Sequence, residues 1–291
     1  MQELTYLVPP EYDGQPAGTF LRRYCGLSWR MVVRLKNAEQ GITADGVWRR
    51  TIDPVYAGQR VTLRWAEDTL RIEGIPGELQ VVYEDDQLLV VDKPAGLAVH
   101  PSAGKPDPTL ANFVVYHYQS RGESHSFRPL NRLDKYTSGL LLAAKTAHGA
   151  HLLAGTGKKE YAAIACGRLT GSGTVDQPIR IKEGCTITRE VGEGGKDSVT
   201  HWQAVAHNDA ATLLRVVIDT GRTHQIRVHM AWLGHPLAGD TMYGTDQQIM
   251  TRQGLHCAGM TFPHPLTGEP LSFRSPLPPD MQAVADTMEA D

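Results

Sequence analysis

Apolar and polar residues alternate with period two through much of the chain, while helical periodicity is confined to a few short stretches. The segment "LQVVYEDDQLLVVDKPAGLAVHPS", residues 79–102, reads as strand, turn, strand, turn, strand, with Glu84-Asp85-Asp86 and Pro94-Ala95-Gly96 at the turns. Further strands are predicted over residues 139–145, 159–168, 199–206 and 212–219. Helices are predicted for "TLANFVVYHYQ", capped by Thr109, and near residues 147–153 and 224–233. So few helices argue against a doubly wound parallel sheet. They favour an α+β fold with a large mixed or antiparallel sheet.

The first 75 residues have a different texture. "LSWRMVVRLKN" predicts a helix with Ser28 as its N-cap, an apolar stripe of Met31, Val32 and Leu35, and Arg30 and Arg34 on another face. "GITADGVWRR" predicts a tight hairpin about Asp45-Gly46, and "GQRVTLRW" an alternating strand. Gly74, Pro76 and Gly77 then interrupt the pattern, dividing the chain into units at 1–75 and 76–291.

Composition alters this picture little. With 291 residues, 41% hydrophobic and 21% charged, the chain has the make-up of a soluble globular protein with ample material for a core. Its longest apolar runs fall far short of a membrane span, and the first residues show no leader pattern. Cys25, Cys166, Cys185 and Cys257 are scattered, which favours reduced thiols and a cytoplasmic location. Charge distribution says more than the net charge of −3. Residues 20–65 hold nine Lys or Arg, among them Arg22, Arg23, Arg30, Arg34 and Lys36, against three acids, a local excess of +6. Such a patch suits a polyanion, and it equally suits a solvated helix face.

Three stretches stand out for chemistry. "RPLNRLDKYTSGLLLAAKT", residues 128–146, sets Asp134 near Arg132 just before a segment apolar enough to be buried. A carboxylate there either caps a turn or is held for reaction. "KKEYAAIACGRL" places Tyr161 in a strand, where a core aromatic is the plain alternative, and "DTGRTHQIRVHMAWLGHPLAGDTMYG" is rich in Gly, His and Arg. Arg222, in that last stretch, is placed to contact phosphate or to cap the chain before the helix. The histidines form no HExxH pattern: His224 and His229 are five apart, and His148 and His151 have no third ligand close by in sequence, so no metal site is expected. "GEGGKDS", residues 192–198, departs from a phosphate loop because Asp197 stands where Ser or Thr is required. It reads as a hairpin loop with Lys196 free for RNA backbone.

Those three stretches resemble the signature motifs of the RluA/RluD-type RNA pseudouridine synthases. Residues 83–102 and 255–273 resemble two further segments of that family, all five in the right order. The N-terminal unit resembles a degenerate S4 RNA-binding domain. The resemblance implies isomerisation of uridine to pseudouridine in ribosomal RNA or tRNA, by a cytoplasmic monomer with no cofactor or metal. Asp134 would be the essential carboxylate, paired with Arg227, and Tyr161 would pack on the base or take the C5 proton. Arg132 would enter the vacated base stack, because a guanidinium plane stacks on bases. One departure is Asn131, where the family often has His. The rival reading is a non-catalytic RNA-binding or ribosome-assembly factor, which would have no need to keep Asp134, Tyr161 and Arg227 together.

Overall fold

The computed structural model describes residues 2–65, 72–102, 107–244 and 248–291. Beside a small cluster around Ile164, Ala211 and Met281, two principal hydrophobic cores form among the described residues. The smaller lies between a four-stranded sheet and two helices: β1 (Gln2–Leu7), α1 (Ala17–Arg23), α2 (Trp29–Asn37), β2 (Ile42–Ala44), β3 (Val47–Trp48) and β4 (Arg60–Trp65). Helix α2 starts where the Ser28 side chain accepts from the Met31 N–H at 3.2 Å. It buries Met31, Val32 and Leu35 as its periodicity requires. Asp45 and Gly46 both take positive φ, the conformation a two-residue hairpin turn demands. Strand β4 buries alternate residues.

The larger core is organised by a mixed sheet. Its strands are β5 (Gln80–Glu84), β6 (Leu88–Lys93), β7 (Ser138–Ala144), β8 (Lys158–Cys166), β9 (Ser172–Asp176), β12 (Val199–His207), β13 (Ala211–Ile218), β14 (Leu255–Pro263) and β15 (Pro270–Arg274). A separate ribbon is formed by β10 (Ile179–Ile181) and β11 (Arg189–Val191). The order along the sheet is β9-β12-β13-β8-β14-β7-β6-β5, with β15 also paired to β14. The pairing of β7 with β14 is parallel, and the other neighbours in that order run antiparallel. Strand β7 is buried at every position, which is why its sequence is continuously apolar rather than alternating. It meets β14 at Gly139, whose φ of 105° and contact with the Cys257 backbone leave no room for a side chain. Helices α3 (Leu110–Ser120), α4 (Ala147–Leu153), α5 (Gln225–Trp232) and α6 (Pro279–Ala285) complete this unit. Thr109 and Asn112 form a capping box at the start of α3.

The two cores meet through Tyr6, whose hydroxyl lies 2.9 Å from His148 Nε2 on α4. The connecting residues 72–79 strap onto α3, with the Ile75 N–H on the Asn112 carbonyl and Asn112 donating to the Glu73 carbonyl.

Some expectations need correction. Residues 96–101 form no strand, because the chain turns at Pro94–Leu97 and that turn is tied to the loop ahead of β7. Arg132 and Asp134 lie in that same loop. The segment 192–198 does not close the β10–β11 hairpin. It turns the chain after β11 so that Lys196 bridges back to Ile179.

Candidate active site

Asp134 sits in the loop of residues 131–137 that leads into β7. Asn131 fastens the loop to that strand: its side chain donates to the Leu140 carbonyl at 3.1 Å and accepts from the Leu142 N–H at 2.9 Å. At the other end the Thr137 N–H returns to the Asp134 carbonyl, and the Thr137 hydroxyl accepts from Gln253 at 2.7 Å. Lys93, fully buried at the end of β6, closes the base. Its ammonium donates to the carbonyls of Pro94 and Leu97, each at 2.8 Å, and of Lys135 at 3.1 Å. Burial pulls its pKa down to about 7.

Arg227, on α5, reaches this loop from 93 residues away in sequence and donates from Nη1 to Asp134 Oδ2 at 2.8 Å. The bidentate grip of Arg227 goes elsewhere. Nε and Nη2 of Arg227 grip the two oxygens of Asp240 at 2.7 and 2.8 Å, and the Asp240 side chain is completely buried. Asp240 Oδ1 also accepts the N–H of Met242 at 3.0 Å. Burial works against the Arg227 charge. Hydrogen bonds and attraction from Asp240, then Asp134, outweigh it and leave the guanidinium pKa above its ordinary value. The Tyr243 ring lies 5.0 Å from that guanidinium. Asp134 keeps about a quarter of its side chain exposed, so one carboxylate edge is fixed and the other faces a cavity.

That cavity, of about 340 Å³, is lined by Asp134, Arg227, Tyr161, Lys159, His224 and Arg222 among others. Tyr161 comes from β8, where alternation turns it inward, and it is 5% exposed. Burial first, and then the neighbouring Cys257 and Asp134, push its phenol well above the ordinary range. His224 stands at the start of α5 in the left-handed region, φ 58°. Its Nδ1 lies 2.8 Å from the Tyr243 hydroxyl and its Nε2 3.7 Å from Asp134. Burial lowers its pKa, with Asp134 pulling the other way. The described residues contain no cluster of three potential metal ligands.

The arrangement is a carboxylate oriented on one edge by a guanidinium, beside a buried aromatic ring and a cleft open to solvent. It is suited to attack or to stabilise an electron-poor carbon. The chain matches the RNA pseudouridylate synthase family over residues 87–232. The chain belongs to this family.

Its relatives cover more of the chain than that segment. Ribosomal large subunit pseudouridine synthase D of Vibrio parahaemolyticus is 40% identical over 257 residues, covering 81% of this chain and 79% of that protein. The protein of that name from Pseudomonas aeruginosa is 38% identical over 271 residues, 86% of this chain and 84% of its own length. RNA pseudouridine synthase YhcT of Bacillus subtilis, named as uncharacterized, is 42% identical over 219 residues, 72% of each chain. Among solved structures, human RNA pseudouridylate synthase domain containing 1 superposes with a TM-score of 0.59 at 26% identity, covering 75% of this chain and 91% of that one. The chain is therefore an RNA pseudouridine synthase, an isomerase that acts on RNA.

In this synthase the three residues picked out for catalysis line one cavity, although they come from a loop, a strand and a helix. Arg132 is exposed at the rim and lines both this cavity and two adjoining ones. Arg222 and Lys196 line one of these, a basic cleft of about 580 Å³ shared with Arg180 and Arg189 from the β10–β11 ribbon. Arg22, Arg23, Arg30 and Lys36 are exposed on α1 and α2, Arg22 lying 5.9 Å from the Trp29 ring, and Arg34 is half-buried. Sequence reasoning missed Asp240, Tyr243, Lys93 and Lys159. Asp240 sits in the quoted "AGDTMYG", but nothing local signals that its partner is Arg227. Lys159 did carry a signal, being two residues before Tyr161 in an alternating strand.

Proposed function

We propose that this synthase acts on uridine in large-subunit ribosomal RNA, with Asp134 as the essential carboxylate, Arg227 orienting it, and Tyr161 packing against the extruded base. The observation that carries the assignment of roles is the single 2.8 Å bond from Arg227 to Asp134, which fixes one oxygen and leaves the other facing the cavity. The relatives named for the ribosomal large subunit support the choice of RNA.

The chemistry follows from that geometry. The bond from C1′ to N1 of uridine breaks and the base keeps the electron pair. Asp134 stabilises the electron-poor sugar, by bonding to C1′ or by assisting loss of a sugar proton. The ring turns, C5 bonds to C1′, the C5 proton is lost, and N1 takes up a proton. A phenol pushed well above its ordinary range is a poor direct base near neutrality, which favours packing as the role of Tyr161. Arg132, exposed at the junction of the cavities, is placed to occupy the gap an extruded base leaves. Residues 1–75 act as an S4-like module supplying salt-dependent affinity, and residues 76–291 as the catalytic unit.

Tritium release from RNA labelled at uracil C5 tests this reading, because C5 loses its hydrogen only when it joins the sugar. The RNA is taken from cells lacking this gene and separated into large-subunit, small-subunit and transfer fractions. Release from the large-subunit fraction by the intact protein, with none by Asp134→Ala, is expected. Release only from the transfer fraction would move the substrate to tRNA. No release from any fraction, with RNA binding intact, would favour the non-catalytic reading.

A further inference from the structure

Lys159 is a cation without a counter-charge in the cavity where Asp134 acts. It stands two residues before Tyr161 on β8, so the two side chains share a face, and both line the cavity. Lys159 is half-buried, and among the described residues its ammonium has no hydrogen-bond or ion-pair partner. Burial lowers its pKa, and the buried Cys257 offsets that only in part. That thiol is itself pushed up to about 12, so it stays neutral. Across the cavity Asp134 is committed to Arg227, and Arg227 to Asp134 and Asp240. His224, with its lowered pKa, adds no lasting charge near neutrality. Arg132 and Arg222 are exposed at the rim. A half-buried ammonium left unpaired costs stability in the free protein, so a negative charge arriving in the cavity would find a preorganised partner.

The reaction generates one. We propose that Lys159 is a further catalytic residue, donating a hydrogen bond to a carbonyl oxygen of the uracil ring and holding the base as an anion while it is detached from the sugar. This rests on the reading of the cavity as the uridine site. Heterolysis of the C1′–N1 bond leaves its electron pair on the base, where it spreads over the ring nitrogens and the two carbonyl oxygens. The ring carbon C5 then returns an electron pair to C1′, the C5 proton is lost and N1, freed from the sugar, takes up a proton from solvent, so atoms and charge balance without transfer of any proton from Lys159. Bound uridine is neutral and the detached ring is anionic, so the ammonium stabilises the later species more than the earlier one. That difference accelerates the reaction.

Single-turnover tritium release at saturating RNA, measured for the intact protein, Lys159→Gln and Lys159→Arg from pH 6 to 10, tests the assignment. Lys159→Gln is expected to lose about 10²-fold in rate, the scale of one lost donor to a developing anion, with its RNA Kd unchanged. The intact protein is expected to lose rate at alkaline pH as the ammonium deprotonates. Lys159→Arg, whose guanidinium stays charged, should carry that alkaline limb to higher pH. A Lys159→Gln rate within about threefold of the intact protein would overturn the proposal, as would an alkaline limb unmoved in Lys159→Arg. A weakened Kd with an unchanged saturated rate would also overturn it, placing Lys159 on the RNA backbone. If Lys159→Gln fails to fold, the alkaline limb of Lys159→Arg decides the matter. No release by the intact protein would instead count against the uridine-site reading itself.

Discussion

Asp240 has no place in the bond changes of uridine isomerisation, yet the position of Asp134 depends on it. Its two oxygens hold the Arg227 guanidinium edge-on, leaving one N–H to reach the catalytic loop. Asp240→Asn removes a buried negative charge and turns one acceptor into a donor facing Arg227. Leaving one member of a buried pair unmatched costs about 3–5 kcal/mol, so a clear fall in the urea midpoint is expected. A fall in the rate of tritium release of at least about tenfold should accompany it, with RNA affinity kept, since Asp240 is out of reach of RNA. An unchanged rate would mean that Asp134 is held well enough by its own loop. The sequence could nominate Asp134, Tyr161 and Arg227 because each lies in a motif with a recognisable neighbourhood. Asp240 is 13 residues from its partner, and only the folded turn after α5 brings them together.

At the scale of elements, the loop that carries Asp134 is held by the strands around it as well as by its own Asn131 and Thr137. Lys93 at the end of β6 binds the carbonyls of the 94–97 turn and of Lys135, one residue after Asp134. Its folded-state pKa is about 7, below the ordinary lysine value of 10.5. The unfolded chain therefore binds more protons between about pH 7 and 10.5, and the contribution of Lys93 to stability rises across that window. It is fully present above the upper limit and lost as pH falls through about 7. Urea unfolding at pH 6, 7.5, 9 and 10 should show the stability of the intact protein rising relative to Lys93→Met as pH increases. A constant difference would mean that the three carbonyls keep Lys93 charged throughout. Strand β7 and helix α4 were readable from pattern, since burial on both sides and a helical stripe leave distinct periodicities. The segment 96–102 looked like a strand because its apolar residues alternate, but Leu97 and Val99 pack against the larger core from a turn.

At the scale of the molecule, one group of cations lies on the small unit, away from the cavity that holds Asp134. Of the nine basic residues in 20–65, Arg50 is paired with Asp53 at 2.9 Å and Arg64 with Glu3 at 2.6 Å, while Arg22, Arg23, Arg30 and Lys36 are exposed on two helices. Replacing these four by Gln leaves the small core untouched. If each meets a phosphate, the slope of log affinity against log salt should become shallower by about 3. Filter binding between 50 and 300 mM salt would measure it, and a slope equal to that of the intact protein would mean that this face does not meet RNA. Tritium release at saturating RNA should be little affected, because the four residues lie outside the cavity.

Much of this protein was written locally. Strand alternation, the Ser28 cap, the Asp45-Gly46 turn, the basic first unit and the motif residues are properties of neighbours in the chain, where side-chain periodicity and turn chemistry act. The sequence also carried the reaction class, because several motifs in order narrow the chemistry to one family. What it left open were choices between distant partners. Whether Arg227 grips Asp134 or Asp240 with both arms, which strand ends tie down the catalytic loop, and that Lys159 faces the cavity unpaired all depend on which segments the sheet brings side by side. Contacts across tens of residues are set by sheet order and by burial, and neither leaves a periodic mark on the residues that make them.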